Sequence, residues 1–203
     1  MATQADRRAT TRGAIVEAAR DLFAQNGYAD TAITDILESA GVSRGALYHH
    51  FESKDDLFAV VFLATSSEAI RRAGTRITAT SPLARLISGC LAWLDVATEP
   101  TIARVLLQDG PLALGWDRCR KLEEATSLGV MRRSIQAAVG SGEIEVGSID
   151  VVARLINALL TEAALDLIRT NARGRKREIA AAITSMINGF KPVGSKGGGT
   201  NPR

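Results

Sequence analysis

The chain has 203 residues, 46% hydrophobic and 23% charged, a balance that fits one globular domain or two small ones and excludes disorder and collagen-like repetition. Aromatic residues make up only 4%, while alanine, leucine, isoleucine and arginine recur, so the core is expected from aliphatic side chains on helices and an all-β fold is disfavoured. The net charge of +3 hides an asymmetry: residues 1–60 hold six Lys/Arg against nine acids, so a crude search for a basic patch points to the far end, around Arg169, Arg173, Arg175, Lys176 and Arg177.

The N-terminal residues Asp6, Arg7 and Arg8, followed by Thr10 and Thr11, contain no apolar run of the secretory kind, which makes the cytoplasm the expected location. Ile15, Ala18, Ala19, Leu22 and Phe23 then fall on one face of a helix that Gly27 can stop. Ile33, Ile36, Leu37 and Ala40 predict a short second helix ending at Gly41. Gly41, Val42 and Ser43 form a tight turn, with Ser43 placed to cap a third helix from Arg44 to about Phe51. Two short helices joined by such a turn make a helix-turn-helix. Helices this short are marginal alone, so Ile36, Val42, Leu47 and Phe51 are expected to pack on the first helix.

Ser53 and Asp56 read as a capping pair opening a longer helix through Leu57, Phe58, Val61 and Phe62 toward Arg72, which joins the two halves of the molecule. Ser81-Pro82 starts a helix with Leu83, Leu86, Ile87, Cys90, Leu91 and Leu94 on its apolar side. Pro100 opens a shorter one with Ile102, Val105 and Leu106, expected to break at Asp109, Gly110 and Pro111 before the Gly115-Trp116 region. Leu128, Met131, Ile135 and Ala138 mark another, stopped by Gly140, Ser141 and Gly142. Ser148 then caps a helix over residues 149–170 that is apolar around most of its circumference, and at 1.5 Å per residue about 33 Å long. Its full cover calls for a partner chain. A last helix carries Ile179, Ile183, Met186, Ile187 and Phe190 before Pro192. The longest uncharged stretch, the twelve residues from Ile179 to Phe190, is too short to span a bilayer. The tail around Gly197 to Gly199 is expected to be disordered.

The string from Gly27 to Leu57, GYADTAITDILESAGVSRGALYHHFESKDDL, resembles the DNA-binding domain of the TetR family of transcriptional regulators. The resemblance rests on Gly27-Tyr28, Thr31, Ile36, Ala40-Gly41-Val42-Ser43, Gly45, Leu47, Tyr48-His49-His50-Phe51, Lys54 and Leu57. It covers about 50 residues; the remainder matches in layout. The implied fold is all-α: a three-helix helix-turn-helix domain over residues 1–53, a larger helical effector-binding and dimerisation domain over 54–190, and a tail over 191–203. One departure is Ala32, where family members often carry Ser or Thr as the cap of the second helix; Thr31 or Thr34 is the expected substitute.

The implied function is a DNA-binding regulator, a ligand-responsive repressor that binds a palindromic operator as a homodimer. A recognition helix enters the major groove with its N-terminal residues at base edges. Arg44 sits there, suited to bond guanine O6 and N7 together. Gly45 permits close backbone approach, Ala46 can touch a thymine methyl, and Ser43 caps the same end. The resemblance makes Thr34, Tyr48, His49 and Lys54 phosphate-positioning groups; Tyr48 can also serve in packing. His49 and His50 project about 100° apart, which does not suit a shared metal.

No cofactor motif is present, and with no histidine beyond residues 49 and 50 no Ser-His-Asp or Cys-His arrangement can form outside this motif. Adjacent Glu123 and Glu124 fit a solvated surface better than acid-base work. Cys90 and Cys119 read as ordinary thiols. The resemblance implies a small-molecule pocket, to which Leu86, Cys90, Trp93, Leu106, Leu107, Trp116 and Leu160 can contribute walls and Asp109, Arg118, Asn157, Thr161 or Glu162 polar contacts. Dimerisation is expected through helices at about 122–139 and 149–170, with Ala158, Ala163 and Ala164 allowing close approach. The alternative reading is a helical small-molecule-binding or interaction protein whose DNA-binding domain no longer works.

Overall fold

The computed structural model describes residues 3–170 and 173–192. These form α1 (Gln4–Asn26), α2 (Ile33–Ala40), α3 (Arg44–His50), α4 (Lys54–Gly74), α5 (Pro82–Ala97), α6 (Pro100–Ala103), a π-helical segment (Arg104–Asp109), α7 (Gly110–Leu114), α8 (Trp116–Ala125), α9 (Ser127–Gly140), α10 (Ile149–Thr170) and α11 (Arg173–Asn188), with no strand among the described residues. The all-helical architecture, a helix-turn-helix followed by a larger helical part, is the one expected. The glycine-rich stretch of the tail lies outside the described residues.

Local signals account for most helix ends. Thr3 and Asp6 form a reciprocal capping box, the Thr3 N–H donating to Asp6 at 2.8 Å and the Asp6 N–H to the Thr3 hydroxyl at 3.2 Å. Gly41, at φ +64°, closes α2 in the left-handed region. Ser43, Ser53 and Ser81 each accept a backbone N–H three residues on, at 3.1 to 3.3 Å. Ile15, Ala19, Phe23, Ile36 and Leu47 are wholly buried, so α1 supplies the surface on which the two short helices stand. The same apolar cluster continues through Leu57, Phe58 and Val61 into Val105 and Leu106. A second cluster joins α5, α9, α10 and α11 through Leu86, Ile135, Ile156, Ile183 and their neighbours.

Two expectations change. The chain does not break at Asp109-Gly110-Pro111: α6, the π-helical segment and α7 run on without interruption. Proline lacks an N–H and crowds an α-helical turn, and the wider i→i+5 turn before it relieves that crowding. Gly110 is required there because a Cβ would lie 2.8 Å from the Phe62 ring on α4. Nor do Thr31 and Thr34 cap α2. The buried Thr31 hydroxyl donates to the Gly27 carbonyl at 2.7 Å, and Thr34 reaches only Asp35, at 3.4 Å. Asp35 accepts the Ala32 N–H at 3.2 Å, and Ala32, with extended backbone at ψ 152°, has no side-chain acceptor of its own. Half a capping box is therefore present. Ala32→Ser should complete it and raise stability by about 1 kcal/mol, measurable as a higher midpoint in denaturant unfolding; an unchanged or lower midpoint would refute this account of the cap.

Candidate nucleic-acid interface and ligand cavities

On α3, Arg44, Gly45, Tyr48 and His49 are exposed while Leu47 is sealed in the core. Arg44 and Tyr48, and Gly45 and His49, are one turn apart, so the four share an outward side. Ala46 is half-buried beside them, Ser43 is exposed with its oxygen engaged as the cap, and Thr34 is exposed on the first turn of α2. A Cβ on Gly45 would meet nothing nearer than the Ser43 hydroxyl at 4.0 Å. Nothing inside the protein demands glycine at that position.

Charge pairing distinguishes the two ends of the chain. The C-terminal basic cluster is largely neutralised: Arg169 meets Glu162 at 3.0 Å, Arg175 meets Asp166 at 2.6 Å and Lys176 meets Asp95 at 2.7 Å. Arg7, Arg8, Arg12 and Arg44, all exposed, have no acidic partner among the described residues. Arg12 lies over the Phe51 ring at 5.2 Å, which brings the N-terminal turns of α1 to the C-terminal end of α3. Sequence reasoning assigned no role to Arg8 and Arg12, although their i, i+4 spacing on one side of a helix was a usable signal. His50, half-buried between them, has its imidazole pKa held below the ordinary 6.5 by burial first and then by the neighbouring charges of His49, Arg8 and Arg12.

Lys54 is more constrained than a free surface lysine. Its ammonium sits 4.3 Å over the Tyr28 ring, and burial lowers its pKa. Tyr28, which entered the resemblance only with Gly27, is a junction. Its ring packs edge-on against Phe58 at 5.0 Å, its hydroxyl meets Asp55, and its N–H donates to Asp109 at 2.8 Å. Beside it the Arg104 guanidinium donates to the Asn26 carbonyl at 2.8 Å, and Arg118 pairs with Asp56 at 2.6 Å. Asp109 and Arg118, expected in a pocket, therefore point toward the loop after α1 and the start of α4.

The remaining pocket residues divide between two cavities. The larger, about 330 Å³, takes Leu106, Leu107, Trp116, Asn157, Thr161 and Glu162. The smaller, about 160 Å³, takes Leu86, Cys90, Trp93, Leu160 and again Asn157. Asn157 is half-buried and its side-chain amide makes no hydrogen bond to any described residue, whereas the Thr161 hydroxyl is already engaged with the Asn157 carbonyl at 3.1 Å. Burial pushes the thiols of Cys90 and Cys119 up to about 12 and about 11, so neither is a nucleophile at neutral pH. No group of three His, Cys, Asp or Glu placed to hold a metal exists among the described residues, and no described helix is long and apolar enough to cross a membrane.

The helices expected at a dimer interface differ in what they expose. α9 buries Leu128, Ile135 and Ala138 and turns Arg133, Gln136 and Ala137 outward. On the last two helices, by contrast, large apolar residues face outward: Val151 at 53% and Leu155 at 63% exposure on α10, and Met186 at 56% on α11. Periodicity alone predicted that α9 was amphipathic; it could not say that α5 takes its apolar side.

Comparison with known proteins agrees over both halves. The family described as bacterial regulatory proteins, tetR family, matches residues 15–61, and the tetracyclin repressor-like C-terminal domain matches residues 83–190. The HTH-type transcriptional repressor AcnR of Corynebacterium efficiens is 29% identical over 186 residues, 83% of this chain and 95% of its own. An HTH-type transcriptional repressor of Mycobacterium tuberculosis is 34% identical over 137 residues, 65% of this chain and 70% of its own. A TetR-family transcriptional regulator from Pectobacterium atrosepticum, solved by crystallography, is similar with a TM-score of 0.76 at 30% identity, over 99% of this chain and 100% of that one.

The surroundings of His50 make a direct prediction. Its ring protons should titrate in NMR with a midpoint below 6.5, and Arg12→Ala should raise that midpoint. A midpoint at or above 6.5 in the unmodified protein would contradict the packing described.

Proposed function

The chain belongs to the TetR family of bacterial regulatory proteins, a family of DNA-binding transcriptional regulators and not of enzymes, and from that premise we propose that it represses transcription by binding a palindromic operator as a homodimer until a small molecule releases it. Residues 1–53 serve as the DNA-reading unit and residues 54–190 carry the ligand and dimer contacts. Arg44 reads a guanine, Ala46 meets a thymine methyl, and Thr34, Tyr48, His49 and Lys54 hold phosphates, with Ser43 fixing the end of the helix. Arg8 and Arg12 extend the phosphate track at the other end of α3. The single observation that carries this reading is the outward side of α3 with its unpaired Arg44 and a Gly45 that the protein's own packing does not need.

Dimerisation through α10 and α11 covers Val151, Leu155 and Met186 and sets two recognition helices about 34 to 36 Å apart for successive major grooves. The route from ligand to DNA runs through the π-helical segment. Leu106 and Leu107 line the larger cavity, while Arg104 and Asp109 of the same segment hold the Asn26 carbonyl and the Tyr28 N–H. A ligand that displaces the leucines moves those two anchors. A coupling of about 1 to 3 kcal/mol is of the usual size for such linkage.

Gly45→Ala separates function from fold. It should raise thermal stability, by up to about 1 kcal/mol as a helix substitution, while weakening binding to the DNA flanking the protein's own gene in fluorescence anisotropy. Arg44→Ala should weaken the same binding by about 1 to 3 kcal/mol, and Arg12→Ala should lower the salt slope by about one. Full-strength DNA binding by Gly45→Ala and Arg44→Ala would favour a ligand-binding protein with a silent DNA-binding domain. Leu155→Arg should convert the dimer to monomer in sedimentation; an unaltered dimer would move the interface elsewhere.

A further inference from the structure

Resting on the reading of the larger cavity as the effector site, we propose that this cavity takes an apolar cation, a protonated amine on a flat hydrocarbon body, with Glu123 as its counter-ion.

Several of the charges around the cavity are already paired. Arg154 faces it but is already neutralised, its guanidinium bonded to Asp150 at 3.0 Å and to Glu124. Those two acids are shared with Arg132 at 2.5 and 2.8 Å, so two arginines and two carboxylates close a balanced ring. Glu162 is paired with Arg169 at 3.0 Å. Glu123 and Arg120 are left, one turn apart on α8 and making no ion pair with each other or with any other described residue. Arg120 is exposed; Glu123 is half-buried.

A half-buried carboxylate without a donor has lost hydration and gained nothing in return. Burial accordingly raises its pKa above the ordinary carboxylate value, the charge of Glu124 adding to the effect and that of Arg120 opposing it. Glu124, its neighbour in sequence, is shifted the opposite way by its bonds to Arg132 and Arg154. An ammonium group donated by a ligand would supply to Glu123 what the arginines supply to Glu124.

The walls specify the remainder of the molecule. Phe62, Leu106, Leu107 and Leu128 are apolar, and Trp116 at the mouth is 70% exposed, a ring face available to a flat body or to the cation itself. About 330 Å³ holds a bicyclic aromatic with a short arm and belongs to the lower range of ligand cavities.

Three probes of one shape and different charge test this: naphthylmethylamine, naphthalenemethanol and naphthoate, titrated by calorimetry into the full-length protein at neutral pH. The amine should bind at least about tenfold tighter than the alcohol, and naphthoate most weakly. Glu123→Gln should weaken the amine about 10- to 100-fold and leave the alcohol within about threefold, and Arg120→Gln should leave the preference for the amine intact. Equal binding of amine and alcohol, preference for naphthoate, no binding of any probe at about 1 mM, or an unchanged preference in Glu123→Gln would each overturn the proposal. Amine binding that leaves operator occupancy unaltered supports the ligand class and counts against the effector reading on which it rests.

Discussion

The Asp109 carboxylate accepting the Tyr28 N–H at 2.8 Å joins two parts of the chain 81 residues apart, and the arrangement of the DNA-reading helices relative to the rest depends on it. Alone, α2 and α3 are two turns each and marginal. They are held by α1, and the end of α1 is held in turn by Arg104 on the Asn26 carbonyl and Asp109 on the Tyr28 N–H. The Arg118–Asp56 pair fastens the start of α4 to α8. Three polar contacts thus converge on a short stretch of surface, against a continuous apolar cluster that crosses from α1 to Leu106. The loop after α1 is thus tied to a segment whose Leu106 and Leu107 line the larger cavity.

Charge acts in this molecule by its pairing more than by its sum. The C-terminal cluster is the more basic by count, yet Asp95, Glu162 and Asp166 bind its cations. The N-terminal region is acidic by count, yet its arginines near α3 have no acid beside them among the described residues. The same logic leaves Glu123 without an ion pair in a cavity whose Arg154 and Glu162 are paired. Net charge alone would have pointed away from α3.

The helix-turn-helix was legible because each of its requirements is local: a capping serine, a glycine in the left-handed turn, a two-turn apolar stripe. Arg44 was placed by its position at the N-terminal end of the third helix, whereas Thr34 and Tyr48 came from the family resemblance. What stayed hidden depends on which neighbour an apolar face meets. α9 and α11 have comparable periodicity, but α5 covers the former while Met186 on the latter stays exposed. Asp109 and Arg118 looked like pocket groups because both are polar residues in an apolar region; only the tertiary arrangement reveals Tyr28 and Asp56 as their partners. Ala32 departs from the family pattern, and the half-box through Asp35 makes that departure tolerable.

The π-helical segment sets a phase. A turn closed by i→i+5 hydrogen bonds brings side chains at i and i+5 toward the same side, where an α-turn would leave them about 140° apart around the axis. Arg104 and Asp109 are five apart and reach the same loop, and Leu106 and Pro111 are five apart and border the same cavity. One widened turn therefore aims two pairs at once, in different directions. Restoring ordinary α-helical winding there would turn one member of each pair aside, so the grip on the loop and the shape of the cavity share a single rotational register.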